Sequence, residues 1–416
     1  MTKRVLRRLE IDVGNAINFG LRARGVPQVF EVYGDAMWGN SASYTAAVYH
    51  DGATYCGVSS QADGATVVKY VHATGVTTSF SLNSTVGPSD HSAPTIVVRS
   101  DGKLLAMYSE HNDTSGLRYR ISTNAADISA WGVEQLLTTG APSVTYAYVV
   151  QLASVMVLFF RNAVNFFYRT STDQGSTWSG VTWCFTYDAE LGRPYPQPLK
   201  TADDRIDFLL CQQDAALDLV PIVYHCYATW NGSSLDFKNT AGTAITLPVD
   251  AADGDATVIY DGSADYSAFW ATLAKHSNGS VWALLKVWNS ATNVDYVLVR
   301  QTGSTWGAPV VVCSGGYPTA VKFDYVGDAC FSPTDTTRIF ASVGTASGGP
   351  WELARYRTQD SGDTWSKEAD ITTASGSGVY NFRPAAVTGS GPSKIGFIKG
   401  AYTGFTTWDT ALWLAS

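Results

Sequence analysis

The sequence is poor in charged residues. Only 15% of its 416 residues are Asp, Glu, Lys or Arg, and their balance gives a net charge of −8 and an isoelectric point near 5.2. An acidic chain is repelled by phosphate backbones, so we expect no nucleic-acid partner for the body of the protein. Long apolar runs are also missing. The longest, from Tyr148 to Phe160, contains Gln151 and Ser154 and is too short for a membrane helix.

The N-terminus lacks the uninterrupted apolar segment of a secretory signal, because Val5 and Leu6 are followed at once by Arg7 and Arg8. We therefore expect a soluble protein that stays in the cytoplasm or leaves by another route, for instance within a virus particle. Six of the 28 basic residues lie in the first 24 positions, namely Lys3, Arg4, Arg7, Arg8, Arg22 and Arg24. This basic arm is either a solvated tail or a docking segment for an anionic partner or a larger assembly.

The six cysteines lack the C-x-x-C spacing of common metal and redox motifs. In a chain of this size their even number does not imply a disulfide framework. Cys211, His225 and Cys226 fall on neighbouring predicted strands and are weak candidates for a metal site such as zinc. Buried, reduced thiols are the simpler interpretation.

Aromatic residues and glycine are abundant: 13 Trp, 22 Tyr, 17 Phe and 38 Gly. Short apolar runs end in turn dipeptides such as Asp101-Gly102 and Asn278-Gly279. This composition is typical of an all-β protein. We find no long amphipathic helix.

Two stretches share an eight-residue pattern, Ser171 to Trp178 and Thr358 to Trp365, and each follows a Tyr-Arg pair. In a tight turn between antiparallel strands, a short carboxylate accepts backbone N–H groups, glycine supplies a positive φ, and the trailing tryptophan packs on the outside of the sheet. We therefore assign these Asp boxes a structural role. The residues concerned are Asp173, Gly175, Trp178, Asp360, Gly362 and Trp365.

The pattern recurs at a fixed period. A degenerate copy of the pattern begins with residues 118–122. Its Arg120 precedes Arg169 by 49 residues, and Arg169 precedes Arg357 by 188 residues, which is four steps of 47. Weaker copies lie at 224–230 and 300–306. A period of this length is the signature of four-stranded blades around a channel. We predict an N-terminal extension over residues 1–30 and a single seven-bladed β-propeller of antiparallel blades over 31–416.

The densest polar constellation lies between residues 90 and 195. His91 begins one predicted strand and His111 ends the next, so antiparallel pairing returns both imidazoles to one end of the hairpin. Tyr146 and Arg161 occupy comparable places in the following repeat. An arginine between Phe-Phe and a second aromatic run indicates either a structural ion pair or a clamp for a substrate carboxylate. Arg193 and Tyr195 open the next unit.

Four ordered strings carry a family resemblance: DHSAPTIVVRSDGKLLAMYSEH, FFRNAVNFFYRTSTDQGSTW, RPYPQPLKTADDRIDF and IVYHCYATWNG. They resemble the Asp-box, or bacterial neuraminidase repeat, propeller proteins that include the seven-bladed ulvan lyases. The resemblance implies cleavage of an anionic, uronic-acid-containing polysaccharide by β-elimination. It also implies that Arg161 neutralises the uronate carboxylate and that His91 and Tyr146 act as base and acid, in either order. His111, Tyr195 and Arg193 would bind the sugar. No cofactor would be required, although a structural metal ion remains compatible.

Two other functions compete with this interpretation. A sialidase also uses Asp boxes, but its Phe-Arg-Ile-Pro motif is matched only by Phe382-Arg383-Pro384 near the C-terminus, and glutamate is scarce. A non-catalytic glycan-binding or structural component of a phage tail would explain the basic arm. A virion-associated depolymerase would combine a place in a phage tail with catalysis.

Overall fold

A computed structural model describes residues 27–39, 46–138, 143–188, 192–213, 222–251, 253–263, 265, 267–290, 293–316, 327–344 and 349–416. The basic arm over residues 3–24, and the assembly contact predicted for it, lie outside these ranges. The described residues form β-strands joined by turns and irregular segments. Among them no helix has the length and apolar character needed to cross a membrane.

The strands pair into seven antiparallel blades in chain order, each closed by hairpin-type connections. Blade 1 contains β2 (Ala47–His50), β3 (Ala53–Ser60), β4 (Gly64–Val71) and β5 (Val76–Asn83). Blade 2 contains β6 (Thr95–Val98), β7 (Leu104–Tyr108), β8 (Leu117–Ile121) and β9 (Gln135–Leu137). Blade 3 contains β10 (Val144–Gln151), β11 (Met156–Asn162), β12 (Asn165–Ser171) and β13 (Thr182–Phe185).

Blades 4 and 5 each carry an additional strand on the third strand of the blade. Blade 4 contains β14 (Arg193–Ala202), β15 (Arg205–Gln213), β16 (Ile222–Trp230), β17 (Leu235–Asn239) and β18 (Thr257–Asp261). Blade 5 contains β19 (Ser267–Lys275), β20 (Val281–Ser290), β21 (Asn293–Thr302), β22 (Thr305–Trp306) and β23 (Val310–Gly316).

Blades 6 and 7 are joined by one parallel bridge between Trp351 and Tyr380. Blade 6 contains β24 (Ala329–Ser332), β25 (Asp335–Gly344), β26 (Trp351–Arg357) and β27 (Ser366–Asp370). Blade 7 contains β28 (Tyr380–Ala386), β29 (Ile395–Gly404), β30 (Thr407–Ala415) and, as its outer strand, β1 (Val29–Gly34). The predicted end of the N-terminal extension, after residue 30, therefore falls inside β1.

The blades close into a ring. The first strands of successive blades contact one another from β2 through β6, β10, β14, β19 and β24 to β28. A parallel bridge between Val48 and Thr388 then joins blade 7 to blade 1, and the Tyr49 amide donates to the Thr388 carbonyl at 2.8 Å. The prediction of an all-β propeller is confirmed, and the strand pairing gives seven blades. The first strands thereby surround the central axis.

The core lies between neighbouring blades. One apolar cluster packs Leu105 and Met107 of blade 2 against Leu158 and Phe160 of blade 3, all four completely buried. Every second side chain of a strand points to the same face, so each blade supplies apolar residues to the clusters on both of its sides. This packing fixes the angular position of each blade in the ring, and with it the position of residues at the blade ends.

The two Asp boxes form the turns between the third and fourth strands of blades 3 and 6. Asp173 accepts hydrogen bonds from the Thr177 amide at 2.8 Å and the Thr177 hydroxyl at 2.6 Å, and the Ser171 hydroxyl donates to the same carboxylate. Gly175 has φ 83°. A Cβ atom there would lie 2.8 Å from Leu105 of blade 2, so glycine is also required by the close approach of the two blades.

The second box repeats this geometry. Asp360 accepts from the Thr364 amide at 2.9 Å, and Gly362 has φ 96°. The predicted position of the tryptophans is corrected: Trp178 and Trp365 are half-buried and pack against the clusters shared with blades 2 and 5.

Candidate functional site

Polar and aromatic side chains gather at one mouth of the propeller, where the first strands begin and the second strands end. His91 lies four residues before β6, and His111 lies three residues after β7. Their rings approach to 4.6 Å between centroids. The predicted hairpin thus returns both imidazoles to the same end of blade 2, although each lies in the connection just beyond its strand.

Blade 3 supplies an aromatic ring and a cation to the same mouth. Tyr146 lies in β10 with φ 67°, inside an irregularity of the pairing between Thr145 and Tyr148. A non-glycine residue in this region of backbone space is strained, and such strain is maintained where the surroundings hold the residue in place. The bend brings the Tyr146 ring to 5.3 Å from the His91 ring.

Arg161 lies in β11 opposite Thr145, one position from Tyr146. Its guanidinium carbon is 5.0 Å from the centre of the Tyr146 ring and 5.7 Å from that of Tyr195, and its Nη1 donates to the Tyr195 hydroxyl at 3.0 Å. Tyr195 is the third residue of β14, so it extends the cluster into blade 4. The structure therefore brings His91, His111, Tyr146, Arg161 and Tyr195 into one continuous cluster.

Arg161 is a buried cation that pairs with no carboxylate among the described residues. Its residue is 2% exposed, and it forms no salt bridge within the described part of the chain. Burial lowers the pKa of Arg161, but the neighbouring Tyr146, Tyr195 and Tyr148 outweigh it, and the net pKa is raised. Its Nε has no hydrogen-bond partner among the described residues. A desolvated guanidinium in this state is suited to a planar anion.

A second network of polar groups contacts His91 through Asp90. Asp90 Oδ1 lies 2.5 Å from His91 Nδ1, and Asp90 Oδ2 accepts from Arg383 at 2.9 Å and from the Tyr402 hydroxyl at 3.1 Å. Asp90 is 1% exposed. Burial alone would raise the pKa of Asp90, but the charges of His91 and Arg383 and their hydrogen bonds outweigh it and lower the pKa to about 2. The carboxylate is ionised at neutral pH.

His111 is held in its neutral form. Burial lowers its pKa, and the charges of His91, Arg161 and Arg193 contribute in the same direction, so that the pKa falls to about 4. A neutral imidazole can donate one hydrogen bond and accept another. Arg193 begins β14 and is half-buried, but it forms no hydrogen bond or salt bridge to the other candidates within the described residues.

Three contributors to this mouth escaped the sequence analysis. Asp90 directly precedes His91, but the sequence pattern assigns it no function. Arg383 matches only part of a sialidase motif, and Phe405 belongs to no motif. It occupies the hairpin between β29 and β30, is 43% exposed, and lies 6.3 Å from the His91 ring and 6.0 Å from the His111 ring. An aromatic residue in a tight, otherwise polar turn was the available signal for Phe405.

The proposed grouping of Cys211, His225 and Cys226 is wrong. Cys211 pairs with Val223, whose side chain points to the face opposite that of Cys226, so the two thiols belong to different apolar clusters. Both His225 ring nitrogens are already engaged, one with Thr240 at 2.8 Å and one with Asp207 at 3.0 Å. Within the described ranges no three His, Cys, Asp or Glu side chains are grouped to hold a metal.

The fold and the repeats define a class of protein. The model of the BNR repeat-containing family matches residues 44–311, well over half of the chain, and the protein belongs to that family. Its sequence matches none of the curated proteins.

Solved structures of polysaccharide lyases share the fold. An ulvan lyase of the polysaccharide lyase family PL25, bound to a -[GlcA(1-4)Rha3S]- fragment, superposes with a TM-score of 0.70 at 16% identity, over 92% of this chain and 93% of that one. A second structure of a PL25 ulvan lyase superposes with a TM-score of 0.70 at 16% identity, over 92% of this chain and 95% of that one. Polysaccharide lyase Uly1 superposes with a TM-score of 0.55 at 14% identity, over 91% and 89% of the two chains.

Proposed function

We propose that this protein is a lyase that cleaves an anionic, uronic-acid-containing polysaccharide by β-elimination. The observation that carries the proposal is the contrast among three buried cations. Lys286 lies 3.7 Å from the Asp328 carboxylate and Arg383 lies 2.9 Å from that of Asp90, whereas Arg161 lies beside tyrosines and pairs with no carboxylate in the described part of the chain. Removal of a cation from water without an anion is costly, so a site that retains one is poised for an anionic ligand.

In the proposed reaction, the uronate carboxylate lies against Arg161. Neutralising that carboxylate makes the proton on the adjacent C5 more acidic, because the negative charge that develops on proton removal is stabilised where it forms. The Tyr195 hydroxyl accepts a hydrogen bond from Arg161 and so keeps the guanidinium in place. This accounts for the recognition half of the site.

His91 is the better candidate for the base, and Tyr146 for the acid. An ionised Asp90 at Nδ1 favours the tautomer in which Nδ1 carries the proton and Nε2 is free to accept one. His91 takes the C5 proton, the electron pair forms the C4–C5 double bond, and the C4–O bond breaks. The Tyr146 hydroxyl protonates the departing oxygen. Positioned acid and base groups each contribute about 10²- to 10⁴-fold to such a step.

Product mass and ultraviolet absorbance test the proposal together. The protein is incubated with a panel of uronate polysaccharides, including ulvan, and absorbance of the conjugated double bond is followed. Elimination gives products whose masses sum to that of the substrate, whereas hydrolysis adds one water for each bond cut. We expect elimination products. Hydrolysis products would support the sialidase-type alternative, and the absence of both across the panel would contradict the proposal.

Arg161→Gln provides the matched variant. Loss of the guanidinium should lower kcat/KM by about 10²-fold or more, because the charge acts where the transition state becomes anionic. Arg338→Gln is the control, since Arg338 pairs with Glu368 at 2.9 Å on blade 6, away from the site. Equal turnover by the two variants would remove Arg161 from the mechanism.

A glycan-binding role without cleavage is the second candidate. The aromatic lining favours it, because the half-buried rings of Tyr146 and Tyr148 stack at 5.2 Å between centroids and the Tyr146 ring lies 5.3 Å from that of His91. Such faces bind sugar rings whether or not chemistry follows. Retention of the protein on immobilised uronate polysaccharide, with no product formed, would favour this function. A place in a virion or other particle, through the basic arm, is compatible with either function.

A further inference from the structure

We propose that Arg383 is a positioning residue for His91, acting through Asp90. The inference rests on the proposed function for its catalytic consequence, but the arrangement itself is independent of any substrate. Arg383 lies in β28 of blade 7, 293 residues along the chain from Asp90. Its Nη2 donates to Asp90 Oδ2 at 2.9 Å, and Asp90 Oδ1 lies 2.5 Å from His91 Nδ1. One oxygen of the Asp90 carboxylate thus faces Arg383 and the other faces His91 Nδ1, which also lies 3.3 Å from the Ser89 hydroxyl.

The position of Arg383 is fixed on several sides. Its backbone has φ 52°, its amide donates to the Gly327 carbonyl at 2.9 Å, and its own carbonyl accepts from Trp38 Nε1 at 3.0 Å. Its Nη1 donates to the Trp38 carbonyl at 2.7 Å. A strained backbone persists only where surrounding contacts determine it, and here those contacts aim the guanidinium at Asp90.

The same blade also positions the rest of the imidazole's surroundings. The Tyr402 hydroxyl donates to Asp90 Oδ2 at 3.1 Å, and the Asp90 amide donates to the Phe405 carbonyl at 2.9 Å. Phe405 in turn lies against both histidine rings. Blade 7 therefore contacts the loop that carries His91 at three places: the Asp90 carboxylate, the Asp90 amide and the His91 ring.

A purely structural ion pair would not require this arrangement. A buried pair is weak evidence for stability by itself, since desolvation offsets much of the attraction. What distinguishes this pair is that the second carboxylate oxygen faces an imidazole nitrogen. A carboxylate bound to one ring nitrogen selects the tautomer and leaves the other nitrogen for proton transfer. Arg383 keeps Asp90 ionised and oriented, and so fixes the function of His91.

Imidazole tautomers provide a direct test by ¹⁵N NMR. The chain has six histidines, so their ring signals can be assigned one by one with His→Gln variants. At a pH where the His91 ring is neutral, we expect Nδ1 to carry the proton in the unmodified protein. In Asp90→Asn the Nε2-protonated form should become the major one, and in Arg383→Gln the two forms should mix. Arg338→Gln should leave the His91 signals unchanged.

Activity gives a second, separable readout. Asp90→Asn should lower kcat by about 10²-fold or more with KM altered only a few-fold, because a misplaced proton disables the base without removing the substrate clamp. Arg383→Lys, which retains the charge but not the two-sided geometry, should recover part of the Arg383→Gln loss. If no uronate polysaccharide is cleaved, the proposed function fails while the NMR result still decides the inference. Two results would overturn the positioning role of Arg383: an Nε2-protonated His91 in the unmodified protein, or unchanged His91 signals in a folded Asp90→Asn variant. Both can be measured even if Arg383→Gln does not fold.

Discussion

Individual side chains of the mouth differ in how their charge is balanced, and that balance indicates their roles. Asp90 is enclosed by positive partners and is ionised, with its pKa lowered to about 2. His111 is neutral, because burial and the nearby charges of His91, Arg161 and Arg193 lower its pKa to about 4. Groups whose environments push their pKa values in such directions concentrate at functional sites.

The neutral state of His111 predicts an acid-sensitive fold. Its folded pKa of about 4 is below the value of about 6.5 expected in the unfolded chain, so the unfolded state binds more protons between these pH values. The stability is present above about pH 6.5 and is lost as pH falls toward 4. Melting temperatures measured from pH 7 to 4.5 should therefore fall less steeply in His111→Gln than in the unmodified protein.

His50→Gln serves as the control for that series, because His50 ends β2 on blade 1. Its melting curve should follow the unmodified protein. If the pH dependence of His111→Gln were as steep as that of the control, protonation of His111 would not be among the causes of acid destabilisation.

At the scale of secondary-structure elements, the Asp-box turns link blades as well as strands. Arg99 of blade 2 donates to the Gln174 carbonyl inside the first box. Arg300 of blade 5 donates to the Ser361 carbonyl of the second at 2.6 Å. Each box therefore closes its own hairpin and also anchors it to the preceding blade. This arrangement supports a structural role for the motif.

Asp173→Ala should destabilise the protein without changing its chemistry. The carboxylate accepts three hydrogen bonds within its turn, and loss of such a cap typically reduces the free energy of unfolding by about 1 to 2 kcal/mol. Urea denaturation should show that decrease, while kcat/KM on any cleaved polysaccharide stays within about two-fold. Asp203→Ala, which removes an exposed partner of Lys200, is the matched control and should be nearly neutral. A large activity loss in Asp173→Ala with unchanged stability would contradict the structural role.

The sequence predicted those parts of the molecule that depend on local pattern. The period of the boxes predicted the blades, and hairpin pairing predicted that His91 and His111 would meet. Arg383 could not be placed, because its contact with Asp90 exists only once the last blade meets the first. The metal-site hypothesis failed because it grouped residues by proximity along the sequence, whereas the alternation of side chains along a strand places His225 and Cys226 on opposite faces.

At the scale of the whole molecule, the site depends on closure of the ring. The outer strand of blade 7 is β1, which pairs with β30 along its length, and Val32 of β1 is buried in the largest apolar cluster. The Tyr33 hydroxyl donates to Asp63 of blade 1 at 2.9 Å. Blade 7 in turn supplies Arg383, Tyr402 and Phe405 to the mouth. Loss of β1 should therefore affect the site from a distance.

Two deletions compare the basic arm with the closing strand. Removal of residues 2–26 should leave cooperative unfolding and the His91 tautomer unchanged, while abolishing any incorporation into a larger assembly that depends on the arm. Removal of residues 2–34 exposes the edge of β30 and uncovers the apolar residues beneath β1, so the melting temperature should fall and aggregation should increase. Val32→Asp, which disrupts the same strand with a single buried charge, should reproduce the larger effect. If the longer deletion melted like the shorter one, β1 would not stabilise blade 7. If the shorter deletion still entered the assembly, the arm would be a passive tail.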